Sequence, residues 1–266
     1  SSLDTETEKK VQTAIEALNN NRIEGMSFVP RQLVQTIQNV QTYQTFQLDL
    51  PQYTAIFFNE DRASVLEEDE VRQALAYSLD RKRIIKESLD SKGEIVNGPL
   101  LPGMIGYDEN LEGFPYNPIE AKRLLDSAGW EEISAEEYIE FEKQRLQVER
   151  GDEAPALTQE DFDFLIGQPD QAVFRKKGDE ILEIRLTSVD QPENERALTI
   201  IKNAWKAIGF KVNFELLPIS VFTDEVLPNR DYEALLYGQI LNIDPDLYTF
   251  WHSSQINHPG DRKSVV

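Results

Sequence analysis

The sequence predicts an α/β layer architecture, and three observations carry that expectation. Over 181–237, ILEIRL, a helix opened by Pro192, KVNFELL, VFTDEVLPNR and DYEALLY follow one another as strand, helix, strand, helix, strand. NPIEAKRLLDSAG announces a helix at both ends: Asn117 is a natural N-cap, Pro118 suits the first helical position, and Gly129 supplies the stop. A hydrophobic content of 40% over 266 residues supports a buried core in one large domain or two smaller ones.

Taken in order, Val11, Ile15 and Leu18 keep helical spacing over 6–18, and NNNRIEG closes that helix. A short strand, MSFV, follows, then an amphipathic segment, RQLVQTIQNV. Phe46, Leu48 and Leu50 alternate with polar residues, and TAIFF is continuously apolar, so two extended segments are expected there, the second well buried. DEVRQALAYSLD places Val71, Ala74, Leu75 and Leu79 on one helical face, with acids at its start that complement the helix dipole. RKRIIKESL continues the helical pattern, and the Gly- and Pro-rich run from Ser91 to Pro118 reads as an irregular traverse. Residues 131–170 are strongly acidic and carry capping-box patterns at Ser134 with Glu137 and, as a weaker match, at Thr158 with Asp161, so a helical insertion with a solvated surface is expected. Leu198, Ile201, Trp205 and Ile208 share the face of the helix that Gly209 ends.

Charge and composition narrow the function. A net charge of −21 argues against nucleic acid and anionic membrane surfaces, because phosphate contacts need clustered Lys and Arg. Zero cysteines remove disulfides, thiol catalysis and Cys-ligated zinc. No apolar run reaches about 18 residues, and SSLDTETEKK lacks the regions of a signal peptide.

The ordered set YTAIFFNED, VRQALAYSLDRKRII, the Gly/Pro traverse, NPIEAKRLLDSAGW, a strand, AWKAIGFKVNFELL and RDYEALLYG before DPD resembles the extracytoplasmic oligopeptide- and dipeptide-binding proteins that serve ABC importers. The resemblance spans most of 10–257 outside the acidic insertion. It implies a type 2 periplasmic-binding-protein-like α/β fold in which this chain is mostly the C-terminal lobe plus hinge-approach segments. It assigns 1–52 to a remnant of the first lobe and the hinge approach, 53–260 to the ligand-binding lobe with 131–170 inserted, and 261–266 to a tail. That tail, DRKSVV, departs from the family pattern and matches what one reading frame of a common sequencing adapter encodes; it is expected to be artefactual or disordered. Further implications are a peptide or other small solute as ligand, a membrane permease as partner, no cofactor, no catalytic residues, no nucleic acid, a monomeric state and an extracytoplasmic location, with a lipid anchor in the full-length protein.

The resemblance also points to a site in GQILNIDPD, residues 238–246. Peptide-binding relatives commonly carry Gly-Trp, two residues and an Asp that pairs with the peptide ammonium, shortly before Asp-Pro. Here Gly238 keeps its place, Gln239 stands where the Trp would be and Asn242 where the Asp would be, while Asp244 and Pro245 match the Asp-Pro. Asn242 is expected as a polar ligand contact and Asp244 as a second, with Gly238, Gln239 and Tyr237 as wall surface. Asp246 is read as a helix cap and Trp251 as core. An amide does not neutralise an ammonium, so the solute lacks a free N-terminus there, Asp244 is the counter-ion, or the solute is not a peptide. Two other classes compete. One is a metal-dependent hydrolase using His252 and His258, against which stands the lack of an HExxH arrangement. The other is a degenerate lobe that acts as a protein-interaction module through the acidic insertion.

Overall fold

The computed structural model describes residues 5–27, 44, 46, 51–150, 158–167, 169–241 and 264–265. The chain divides into two compact units, Ser1–Leu50 and Pro51–Val266. In the first, α1 (Thr5–Asn19) forms where the apolar spacing places it, with Ile15 and Leu18 buried. Asn21 closes it in the left-handed region at φ 51°, a conformation asparagine tolerates. The strand expected from MSFV and the segments expected over 31–50 lie outside the described residues except for Met26, Ser27, Gln44 and Phe46, and none of these four is in a helix or strand.

The second unit is built on a five-stranded sheet of β1 (Gln52–Phe58), β5 (Glu183–Val189), β6 (Lys211–Leu217), β7 (Ala234–Ile240) and β8 (Ser264–Val265), in the order β6-β5-β7-β1-β8. β5 runs parallel to β6 and β7, whereas β1 is antiparallel to β7 and β8 antiparallel to β1. Two residues of the tail for which no structure was expected thus extend the sheet, Ser264 opposite Phe58 and Val265 opposite Phe57. Edge pairing uses backbone groups alone, so no side-chain pattern announces it.

The period-2 alternation of the strands separates two cores. On one face, Ile56, Phe58, Ile184, Leu186, Val212 and Leu236 pack with α2 (Asp69–Tyr77), α4 (Pro118–Ser127) and α7 (Pro192–Ala207). Trp205 is fully buried there and its indole N–H donates to the Leu75 carbonyl at 3.2 Å. α3 (Arg81–Ser88) joins this layer through Arg196, which donates to the Ser88 carbonyl. On the opposite face, Tyr53, Phe57, Val189 and Leu235 meet Phe222 and Val226, with Val96, Leu101 and Met104 of the traverse laid against them. Arg81 fastens that traverse by donating to the carbonyls of Val96 and Phe114 and to Asn97 Oδ1.

VFTDEVLPNR is helical, with a π turn at Phe222–Val226 between short α-helical ends, Ile219–Val221 and Leu227–Asn229. DYEALLY was expected as the last strand, but β7 starts at Ala234 and continues through Gly238, Gln239 and Ile240. Turn-forming residues stay extended there because Gln52, Tyr53 and Thr54 of β1 supply a pairing ladder.

The insertion region departs from the helical expectation at its start. It opens on β2 (Glu131–Ser134), which pairs with β3 (Val173–Lys177), and β3 pairs with β4 (Glu180–Ile181). Only Ile133 of β2 is buried, so four residues show no alternation to read. Between β2 and β3 lie α5 (Ala135–Arg150) and α6 (Gln159–Ile166), and both capping boxes form: Glu137 N–H donates to Ser134 Oγ, and Asp161 N–H to Thr158 Oγ1. Tyr138 stacks on Phe174 with centroids 4.0 Å apart. Lys211 Nζ lies 5.6 Å above the Tyr138 ring and 3.2 Å from Glu183 Oε2. Beside them Glu142 is buried; Oε2 pairs with Arg145 at 2.9 Å, while Oε1 has no partner among the described residues. Burial pushes the Glu142 carboxyl above its ordinary range, against the pull of Lys211 and Arg145.

Arg175 of β3 ties this small sheet to the main body. The side chain is fully buried and donates from Nε to the Ile208 carbonyl at 2.9 Å, from Nη1 to the Trp130 carbonyl and Asp126 Oδ1, both at 2.6 Å, and from Nη2 to Glu132 Oε1 at 2.8 Å. Gly209, at φ 103°, lets the stem pass: a Cβ there would stand 2.6 Å from Arg175 Cγ.

Candidate functional site

Connectivity singles out the carboxyl end of the parallel strands as the candidate site. From β5 the chain crosses through α7 to β6 on one side, then through the π segment to β7 on the other side of β5. The segments leaving the carboxyl ends of β5 and β6 pass to opposite faces, one to α7 and the other to Phe222 and Val226, and in open α/β sheets ligands bind at such a switch point. The rim there comprises Asp190 and Gln191 after β5, Pro218 after β6, residues 238–240 of β7, and the antiparallel start of β1 at Gln52.

Local hydrogen bonding fixes this rim. Asp190 N–H donates to the Leu217 carbonyl at 2.8 Å and holds the two parallel strands together at their ends. Asn194, in the first turn of α7, donates from Nδ2 to the Val189 carbonyl at 3.0 Å. Ser188 Oγ donates to the Leu236 carbonyl at 2.7 Å, and Leu241 N–H to the Pro51 carbonyl at 2.7 Å. Glu193 and Glu195 occupy the first turn of α7 and complement its dipole.

The residues singled out from the sequence fall into two groups. Tyr237, Gly238 and Gln239 sit on consecutive rungs opposite Ala55, Thr54 and Tyr53. Tyr237 is half-buried and stacked on Phe222, with centroids 5.1 Å apart. Gly238 is exposed, and a Cβ added there would meet Thr54 Oγ1 at 3.4 Å. Gln239 is only 7% exposed, and its Oε1 accepts a 2.8 Å hydrogen bond from the Tyr53 hydroxyl. Asn242, Asp244, Asp246, Trp251, His252 and His258 lie outside the described residues. Sequence reasoning overlooked Tyr53, Phe222 and Asp190. Tyr53 was within reach: pairing TAIFF antiparallel with ALLY puts the residue before Thr54 opposite Gln239.

Among the described residues no group of three His, Asp or Glu side chains is arranged to hold a metal ion, and no helix is long and apolar enough to cross a membrane. The rim thus offers shape, strand backbone, an amide, a phenol and exposed apolar surface at Ile240. This equipment suits noncovalent capture.

The model for bacterial extracellular solute-binding proteins, family 5, matches residues 5–258. The chain belongs to this family. Its members bind solutes and are not enzymes. The oligopeptide-binding protein AppA of Bacillus subtilis strain 168 is 25% identical over 207 residues, which cover 77% of this chain and 32% of that protein. The structure of AppA from Bacillus subtilis in complex with a nonapeptide superposes with a TM-score of 0.68 at 22% identity, covering 96% of this chain and 44% of the other. NikZ from Campylobacter jejuni in complex with Ni(L-His) gives a TM-score of 0.64 at 21% identity, over 94% and 43% of the two chains. The fold of this family 5 chain is that of the type 2 periplasmic binding proteins. The chain spans about a third of the length of the curated relative and less than half of the solved ones.

Proposed function

We propose that this chain is the C-terminal lobe, with hinge-approach segments, of a receptor that captures peptides or a related small solute outside the cytoplasm and delivers them to the permease of an ABC importer. The observation that carries the reading is the β1–β7 rim at the carboxyl end of the parallel strands, where exposed Gly238 and Thr54 face each other across the ladder beside the Tyr53–Gln239 pair. Peptide capture by strand backbone gives affinity without fixing side-chain sequence. Tyr237, Gly238 and Gln239 serve as wall, and Asn242 and Asp244, next along the chain, as polar contacts to the solute. Closure of two lobes follows from the ligand's higher affinity for the closed state. The receptor works as a monomer, lipid-anchored at the cell surface in its full-length form, and the insertion over 131–170 is a solvated decoration.

Calorimetric titration of the intact receptor with peptides of two to nine residues, with their amino-acetylated forms and with Ni(L-His) tests the assignment. Saturable binding of peptides supports it. Binding of the nickel complex alone, or of none of these solutes, removes the peptide assignment. Light scattering of the purified receptor checks the monomeric state.

A further inference from the structure

We infer that Gln239, oriented by Tyr53, is a specificity-determining residue that presents an uncharged N–H donor to a carbonyl or carboxylate oxygen of the solute. The inference rests on the proposed binding role and adds the chemistry that this rung selects.

A primary amide has one acceptor oxygen and two N–H donors. One of the oxygen's two lone pairs is taken, because Tyr53 Oη donates to Oε1 at 2.8 Å across the last but one rung of the β1–β7 ladder. That bond fixes the amide plane and leaves Nε2 to act as donor. Nε2 has no acceptor among the described residues, and the residue as a whole is 7% exposed. The apolar residues on this face include Phe57, Val189, Phe222, Leu235 and Leu241. Nε2 is not among the sealed donors that lack a partner, so in the free receptor water meets it, and a solute oxygen can take that water's place. A solute ammonium placed against Nε2 would set donor against donor.

Two near-isosteric substitutions separate this role from simple packing. Gln239→Glu keeps an acceptor for the Tyr53 hydroxyl but turns the outward donor into an anionic acceptor. Gln239→Met keeps the volume and removes both functions. In the intact receptor at neutral pH, trialanine is expected to bind about tenfold or more weakly to either variant, while thermal midpoints at the same pH show that the variants fold. Tyr53→Phe, which frees the amide to turn, is expected to weaken binding less. Trialanine amide locates the acceptor: if it is the terminal carboxylate, the wild type binds the amide weakly and Gln239→Glu weakens it no further, whereas a peptide carbonyl gives the same loss for both probes. Should a variant fail to fold, the Gln239 side-chain amide resonances of the 15N-labelled wild type must shift on addition of trialanine. A wild type that binds trialanine with those resonances unmoved, or folded variants that bind it equally well, overturn the inference and leave the receptor reading intact. A wild type that takes no peptide brings down both.

Discussion

Arg175→Met tests how the small sheet is held to the rest of the protein. Methionine retains the buried stem volume and removes every donor. Two of the four bonds lost run to the backbone carbonyls of Trp130 and Ile208, inside the core. Hydrogen bonds to charged groups contribute about 1.5–3 kcal/mol each, so this pair represents roughly 3–6 kcal/mol. The other two run to Asp126 and Glu132, whose side chains are 64% and 43% exposed. Water takes over when the arginine leaves, and surface pairs contribute about 0–1 kcal/mol each. Relief of the buried guanidinium's desolvation offsets part of the sum. The expected net loss is about 4 kcal/mol, or roughly 8–16 °C in thermal midpoint for a domain of this size. Urea unfolding followed by tryptophan fluorescence reads it, since Trp130 and Trp205 are both fully buried. The double variant Asp126→Asn, Glu132→Gln should cost less than about 2 kcal/mol. A loss under about 1 kcal/mol for Arg175→Met, or a larger loss for the acid pair than for the arginine, would refute the assignment of the tie to the carbonyls.

Gly209→Ala is expected to cost about 2 kcal/mol from left-handed backbone strain and collision with the arginine stem. In an Arg175→Ala background the collision disappears and only the backbone part remains, so a double-mutant cycle with zero coupling counts against the steric reading. Asn117→Ala removes the Oδ1 that accepts from Glu120 N–H at 3.1 Å and should lower stability by about 1 kcal/mol in urea titration; an unchanged midpoint speaks against the cap. Glu142 gives a pH signature. Burial raises its folded-state pKa above the ordinary 4.5, so the native state holds this proton more tightly than the unfolded chain. Its contribution is full below the ordinary pKa and is lost as pH rises through the raised folded value. Stability of Glu142→Gln relative to wild type should therefore grow with pH across that window, and a difference independent of pH removes the linkage.

Local rules stated most of the fold in advance because their causes are local. Asn117 with Pro118, and Ser134 with Glu137, form the helix starts they announce, since cap chemistry is decided within four residues. TAIFF and KVNFELL are strands because their patterns match the pleat. What stayed hidden is non-local. β2 is too short and too exposed to show alternation, and β7 runs on through Gly238 only because β1 lies beside it. The Tyr53–Gln239 bond joins residues 186 positions apart, so GQILNIDPD, whose Gly, Asn, Asp and Pro read locally as a turn, gives no sign of it. Resemblance singled out the segment as a candidate, and strand pairing put Tyr53 within reach; the hydrogen bond that orients the Gln239 amide was not legible.

The acidic helices attach where Glu183 and Lys211 begin their strands, at the amino end of the sheet. The proposed rim lies at the opposite end, roughly 20 Å away along seven-residue strands. That separation gives an experimenter a place to attach a fluorophore or an immobilisation tag, about the length of a strand away from the end proposed to meet the solute.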